Sequence, residues 1–345
     1  MAFYDGVFDA LGLREWCDGT SAEGPMTMEQ LLAQARGEES TAVETELVPF
    51  PSLDNLHAAC GEIPRTREMT SGVENLFLSV KDGLKLVLDP LTQPLSWMLE
   101  GTLYVFTAAP WWLVIPVLLW LTWYVSRSRG VTVFVAFSFF FLAFIDHYDA
   151  AIQTLAIIFV CTGLCVLFGV PVGILMSKNN TVQRMIIPVL DLLQTLPSFV
   201  YLIPLIFLFS VTEPKLYGIA IILYAIVPVI RLTDLGIRLV DKDVIEAANA
   251  FGMSGRQKLF GVEIPLALPN IMAGVNQTIM MSLAMVVIAS LVSAPGLGVL
   301  VLRGIRNLEL GVGLVAGLGI VLLAVILDRA SKAALARVNA IHETH

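Results

Sequence analysis

From residue 103 onward the chain is dominated by apolar runs, near 103–125, 130–148, 151–176, 186–210, 215–233, 269–293 and 312–329. A helix needs about 20 apolar residues to cross the hydrocarbon core of a bilayer. Runs of that length, in that number, predict an all-α multi-spanning membrane protein with about seven transmembrane helices. Composition agrees, since 57% of the residues are hydrophobic and only 14% charged, against about 25% charged in an average soluble domain. The first two runs are the least regular: Pro110 and Pro116 interrupt one, and Asp146-His-Tyr-Asp149 ends the other.

Charge is distributed unevenly. Residues 1–98 hold 16 Asp/Glu against 6 Lys/Arg, while the whole chain carries −8. The acidity therefore belongs to an N-terminal tail without a long apolar run, with weak helical patches at 27–36 and 72–88. That composition reads as partly ordered and extramembrane. Met1 to Arg14 mixes apolar and acidic residues and lacks the pattern of a cleaved signal. Between the runs, one set of loops contains twelve Lys/Arg, among them Arg127, Lys178, Arg238, Lys242 and Arg256, and the other set only Lys215, Arg303 and Arg306. The positive-inside rule then predicts a cytoplasmic C-terminus and an extracytoplasmic tail. No clustered basic face exists for tracking phosphates, so nucleic acid is not an expected partner. The four cysteines lack metal-ligand spacing, and no metal site is expected. Cys161 and Cys165 read as small buried side chains, whereas Cys17 and Cys60 stand in the tail, paired or free.

Between two runs lies an amphipathic stretch, residues 234–268. Asp243 and Glu246 have capping-box spacing, as do Ser254 and Gln257. Gly252 offers the left-handed position that stops a first helical piece, and Pro265 is expected to prevent the second from running on. Ala247, Ala248 and Phe251 recur at helical spacing as a small apolar patch with one aromatic knob. Such a patch fits docking on another protein or lying on lipid headgroups; a DNA-reading helix pair is disfavoured, because both ends are tethered to spans.

The residues Glu246-Ala-Ala-x-x-x-Gly252, nine further residues, then Val262-Glu-Ile-Pro265 resemble the EAA loop of ATP-binding-cassette importer permeases. Gln194-Thr-Leu-Pro-Ser-Phe-Val-Tyr-Leu-Ile-Pro204, Arg231-Leu-Thr-Asp-Leu-Gly-Ile237, Pro269-Asn-Ile-Met-Ala-Gly-Val-Asn-Gln-Thr278 and Leu302-Arg-Gly-Ile305 are similar to the glycine betaine/proline type. The resemblance covers roughly residues 100–332. It implies an importer permease core over 149–332, preceded by two additional spans in 99–148 and followed by a cytoplasmic tail, 333–345. It also implies a coupling role for Glu246, Ala247, Ala248, Phe251, Gly252, Arg256, Lys258 and Pro265, docked on a cytoplasmic ATPase subunit. Further implied partners are a periplasmic solute-binding protein and a second copy of the chain, in a bacterial inner membrane. Relatives carry glycine betaine, proline betaine, choline, carnitine or trimethylamine N-oxide.

No Gly-Lys dipeptide occurs, so the phosphate-binding Gly-x-x-x-x-Gly-Lys-Ser/Thr loop is absent. The chain is expected to bind no cofactor, with ATP used by the partner subunit. Polar groups within spans are costly and tend to face a bundle interior, which makes Asp191, Gln194, Asn276 and Gln277 candidates for a solute path; interhelical hydrogen bonding is the alternative. Pro197 and Pro204 would bend their run, and Phe199 and Tyr201 between them could present aromatic faces to a methylated ammonium. Ser293-Ala-Pro-Gly-Leu-Gly298 fits a short gate or an ordinary loop. An intramembrane enzyme lacks an evident Ser–His or paired-Asp arrangement, and a passive or osmosensing channel would not need the loop at 234–268.

Overall fold

In a computed structural model the described residues are 7–8, 10–13 and 66–343. Cys17, Cys60 and the patch at 27–36 lie outside them. Among the described residues all regular structure is helical. The chain divides into two compact units, residues 1–82 and 83–345. A long helix, α1 (Thr66–Ala108), takes in the weak patch at 72–88 and runs unbroken through the boundary expected at residue 98.

Four segments are long and apolar enough to cross a bilayer singly: α4 (Tyr148–Lys178), α7 (Pro214–Arg238), the continuous helix Gly255–Val292, and Leu310–Ala334 of α12 (Leu310–Glu343). Two expected spans are bent. The run at 103–125 is divided between α1 and α2 (Trp111–Ser126), which meet at 112°; that at 186–210 is divided between α5 (Asn180–Thr195) and the segment Ser198–Leu208, at 107°. Counting each bent pair as one span gives six. The remaining run forms α3 (Arg129–Phe144), 16 residues, or about 24 Å at 1.5 Å per residue.

Proline chemistry permits the second bend. Leu196, the residue before Pro197, is extended at φ −67, ψ 132, because the proline ring disfavours the helical region for its predecessor. After Pro197 the chain makes a 3-10 turn, Ser198–Tyr201, and then α6 (Leu202–Leu208). Pro204 adds no second bend, contrary to expectation; it falls in the first turn of α6, where a missing N–H costs least.

Helix α7 packs against α4 and against α10 (Ile264–Ala289). Small residues set these crossings, as they do where lipid gives helices no hydrophobic drive to associate. A Cβ on Gly173 would stand 2.6 Å from Thr233 Cβ and 2.7 Å from the Ile230 carbonyl oxygen. Gly274 of α10 also lies close to α7, less tightly, with Val229 Cα 3.1 Å from the position its Cβ would take. Cys161 and Cys165 are buried and unpaired, as their spacing predicted.

At the start of α7, Lys215 is only 4% exposed and sits between Asp89 of α1 (2.7 Å) and Glu213 (2.8 Å), with its ammonium 5.1 Å from the Phe209 ring centre. The stretch 293–298 leads into α11 (Leu297–Arg306), whose first N–H, at Leu297, donates to Thr154 Oγ1 at 2.9 Å.

Candidate functional site

The loop between α7 and α10 is assembled from short-range capping. Its first piece, α8 (Lys242–Ala250), is capped by Asp241, whose carboxylate accepts from the Asp243 N–H at 2.9 Å. The cap is thus two residues earlier than the sequence indicated. Asp243 instead occupies the first turn, where a carboxylate is favoured by the exposed N–H groups, and Glu246 is released from any capping duty. At the other end Gly252 has φ +73. Its N–H donates to the Asn249 carbonyl at 2.9 Å and the Met253 N–H to the Ala248 carbonyl at 3.1 Å, the paired bonds of a Schellman motif. Ser254 and Gln257 form the expected reciprocal box and start α9 (Gly255–Lys258).

Pro265 does not end this second piece. A π turn, Leu259–Glu263, joins α9 to α10 and the helix runs on to Val292. The Ile264 N–H bonds back five residues to the Leu259 carbonyl, so the widened turn has already left the i−4 register when the chain reaches Pro265. Proline, with no N–H to satisfy, is accommodated at the first turn of α10.

The apolar patch is divided by this geometry. Ala248 is buried, whereas Ala247 is exposed and Phe251 is 87% exposed. Val244, which the sequence pattern did not single out, stands on the outward face at i−3 from Ala247 and i−7 from Phe251, and is also exposed. Arg256 is exposed, and Lys258 donates to Asn249 Oδ1 at 2.9 Å, tying the two pieces together. Glu246 borders a cavity of about 390 Å³ with Lys178, Arg238, Lys242, Asn249 and Glu263.

Beneath the loop lies a polar network that the sequence does not reveal. Arg238 binds Asp234 at 2.8 Å, Asn180 Oδ1 at 2.9 Å and the Met176 carbonyl at 2.6 Å. Gln183 donates to the other Asp234 oxygen at 2.7 Å, and Lys178 pairs with Glu263. Asp234 and Arg238 at i, i+4 are the one available signal; their partners are more than 50 positions away.

The candidate path residues fall into two groups. Asp191, Gln194, Pro197, Phe199 and Tyr201 belong to the bent pair, whose 3-10 turn packs against α10. Gln194 and Phe199 are exposed, while Asp191 pairs with Arg231. Tyr201 is buried and its hydroxyl donates to the Leu193 carbonyl across the bend, so its ring is packed rather than presented. On α10, Asn276 donates to Asp328 Oδ1 at 3.0 Å and accepts from Ser331 at 2.8 Å, which is interhelical bonding to α12. Gln277 beside it is exposed. Among the described residues no cluster of His, Cys, Asp or Glu has metal-site geometry.

Membrane-length helices, a proline-bent pair and a capped loop that exposes an aromatic side chain define an all-α, multi-spanning membrane protein. The chain belongs to the family described as binding-protein-dependent transport system inner membrane component, whose model matches residues 166–339. It is 44% identical over 213 residues to the glycine betaine transport system permease protein of Bacillus subtilis strain 168, covering 61% of this chain and 74% of that protein. It is 39% identical over 288 residues to the glycine betaine/proline betaine transport system permease protein of Escherichia coli strain K12, covering 82% and 78%. A solved chain of the MetNI methionine ABC transporter in an inward-facing conformation shares the fold, with a TM-score of 0.51 at 20% identity over 56% of this chain and 95% of that one. In this family the membrane component has no ATPase site of its own; ATP hydrolysis belongs to a separate subunit.

Proposed function

We propose that this chain is the permease of an ATP-driven importer of a methylated-amine osmolyte, glycine betaine or proline betaine. The substrate class is supported by the names of two relatives that each match most of their length. The observation that carries the mechanism is the loop between α7 and α10. Two abutting caps hold it rigid and leave Phe251 almost fully exposed beside Ala247 and Val244. A rigid aromatic anchor with a small neighbour is what a pocket on a partner protein recognises. The loop therefore docks on the ATPase subunit, with Glu246, Gly252, Arg256, Lys258 and Pro265 shaping or flanking the contact.

In this arrangement the loop and C-terminus face the cytoplasm, and residues 1–98 begin outside. Each bent pair and the short α3 count as one span in that topology. Two copies of the chain present two docking loops to two ATPase subunits, with a solute-binding protein delivering cargo from the opposite side. The solute passes near the bend at Pro197, where Gln194 and Phe199 are exposed. Weak holding by one aromatic face is sufficient there, because a permease must also release its cargo.

The test is ATP hydrolysis and uptake by the chain reconstituted with its ATPase and binding protein. The panel is glycine betaine, proline betaine, choline, carnitine and trimethylamine N-oxide. Stimulation by either betaine at the lowest concentration supports the proposal. Preference for choline, carnitine or the N-oxide replaces the substrate and keeps the machinery, and ATP-independent flux would place the chain among channels.

A further inference from the structure

Resting on the docking role above, we infer that the ion pair Lys178–Glu263 is a strut that makes the α4–α5 junction follow the loop. Lys178 and Glu263 are then positioning residues that connect ATP hydrolysis to solute movement. Glu263 is 4% exposed, at the last position of the π turn. A carboxylate so buried is tolerated only with a charged or hydrogen-bonding partner. Glu263 closes a widened turn of the helix. Each residue of an α-helix advances about 100°, so an i→i+5 turn rotates the residues downstream of it out of the ordinary register. Glu263 lies within this turn and meets Lys178 there.

Lys178 is the last residue of α4, where a cation also meets the unpaired carbonyls of the helix end. The next residue, Asn179, caps α5 by accepting from the Thr181 and Val182 N–H groups at 2.9 and 3.3 Å. A displacement of Lys178 is thus delivered directly to the start of α5. The leading end of the loop grips the same junction through Arg238, which holds Met176 and Asn180. The loop is therefore fastened to one junction at both its ends, by Arg238 before it and Glu263 after it. Helix α5 continues from that junction to the bend at Pro197, where the exposed Gln194 and Phe199 lie.

Proteoliposomes holding the complete complex test this, with Lys178→Met, Glu263→Gln, the two together, and the charge swap K178E/E263K. The quantities read are recovery of assembled complex, ATP hydrolysis, and solute taken up per ATP. Each single variant is expected to assemble and hydrolyse ATP while uptake per ATP falls about tenfold, and the swap is expected to recover most of that ratio. Singles that keep the wild-type ratio overturn the inference. So does a swap that assembles without recovering the ratio. Loss of assembly in all four makes the pair a structural anchor and overturns it equally. Phe251→Ala, measured alongside, separates this outcome from failure of the docking role. If that variant still binds the ATPase normally, it is the docking surface that is wrong.

Discussion

Replacing Gly252 by valine isolates one backbone angle. A Cβ added at Gly252 meets nothing within 4 Å, so sterics against neighbours contribute nothing, and the cost comes from holding φ +73. For a residue other than glycine the left-handed region costs about 1–2 kcal/mol, with a β-branched side chain at the upper end. That shifts the balance between the capped loop and a frayed one by about 5–30-fold. If the capped loop is the form that docks, apparent affinity for the ATPase falls by up to about the same factor. Asparagine tolerates the left-handed region, so Gly252→Asn should retain most of the affinity, and Gly252→Ala should fall between. The assay is titration of detergent-solubilised or nanodisc-held variants with the ATPase subunit, followed by uptake in proteoliposomes. A valine variant that binds like the parent refutes the reasoning. An asparagine variant as impaired as valine also refutes it, because the side chain and not the angle would then matter.

Gly173→Leu should cost about 1–3 kcal/mol of stability through overpacking, read as a lower thermal midpoint in detergent, or abolish folding, since the Ile230 carbonyl, 2.7 Å from the position of an added Cβ, cannot yield. Gly163→Leu on the same helix, where a Cβ meets nothing within 4 Å, should leave it unchanged. Arg238→Met leaves the buried Asp234 without its cation, with Gln183 as its remaining side-chain donor, and should cost up to about 3 kcal/mol in an unfolding measurement; adding Asp234→Asn should recover part. Tyr201→Phe removes the hydrogen bond across the bend, with about 1 kcal/mol lost in thermal stability and solute KM unaltered. Phe199→Ala at the exposed position should raise that KM, read by concentration-dependent uptake.

The parts of the loop between α7 and α10 that can be read along the chain share a physical basis: they depend on interactions within about five residues. Gly252 and the Ser254–Gln257 box are of this kind, and the structure has both. Asp243 is not the cap its spacing suggests, because two aspartates flank Lys242, and only the extended backbone at Asp241 shows which accepts the bond. Pro265 misleads for a different reason. A proline stops a helix that needs its N–H, and the π turn ahead of it removes that need. Equally, Pro171, Pro188, Pro228 and Pro269 lie inside helices that continue through them, so proline alone does not distinguish the bend at Pro197. The difference lies in what receives the freed segment, here packing of the 3-10 turn on α10.

Burial of charge is the other illegible part. Lys215 counts in the sequence as one of three bases in a sparsely basic set of loops, yet it is buried against Asp89, 126 positions earlier. Lys178 and Glu263 are separated by 85 positions. No periodicity encodes such pairs, since each member looks like an ordinary loop charge until the helices are brought together. What the sequence alone determined is the part dictated by solvent and by local geometry. Apolar runs must become helices across a bilayer, and glycine and capping residues shape one loop. What only the tertiary structure decided is which proline bends its helix and which charges meet, because both depend on the surfaces that distant segments present to one another.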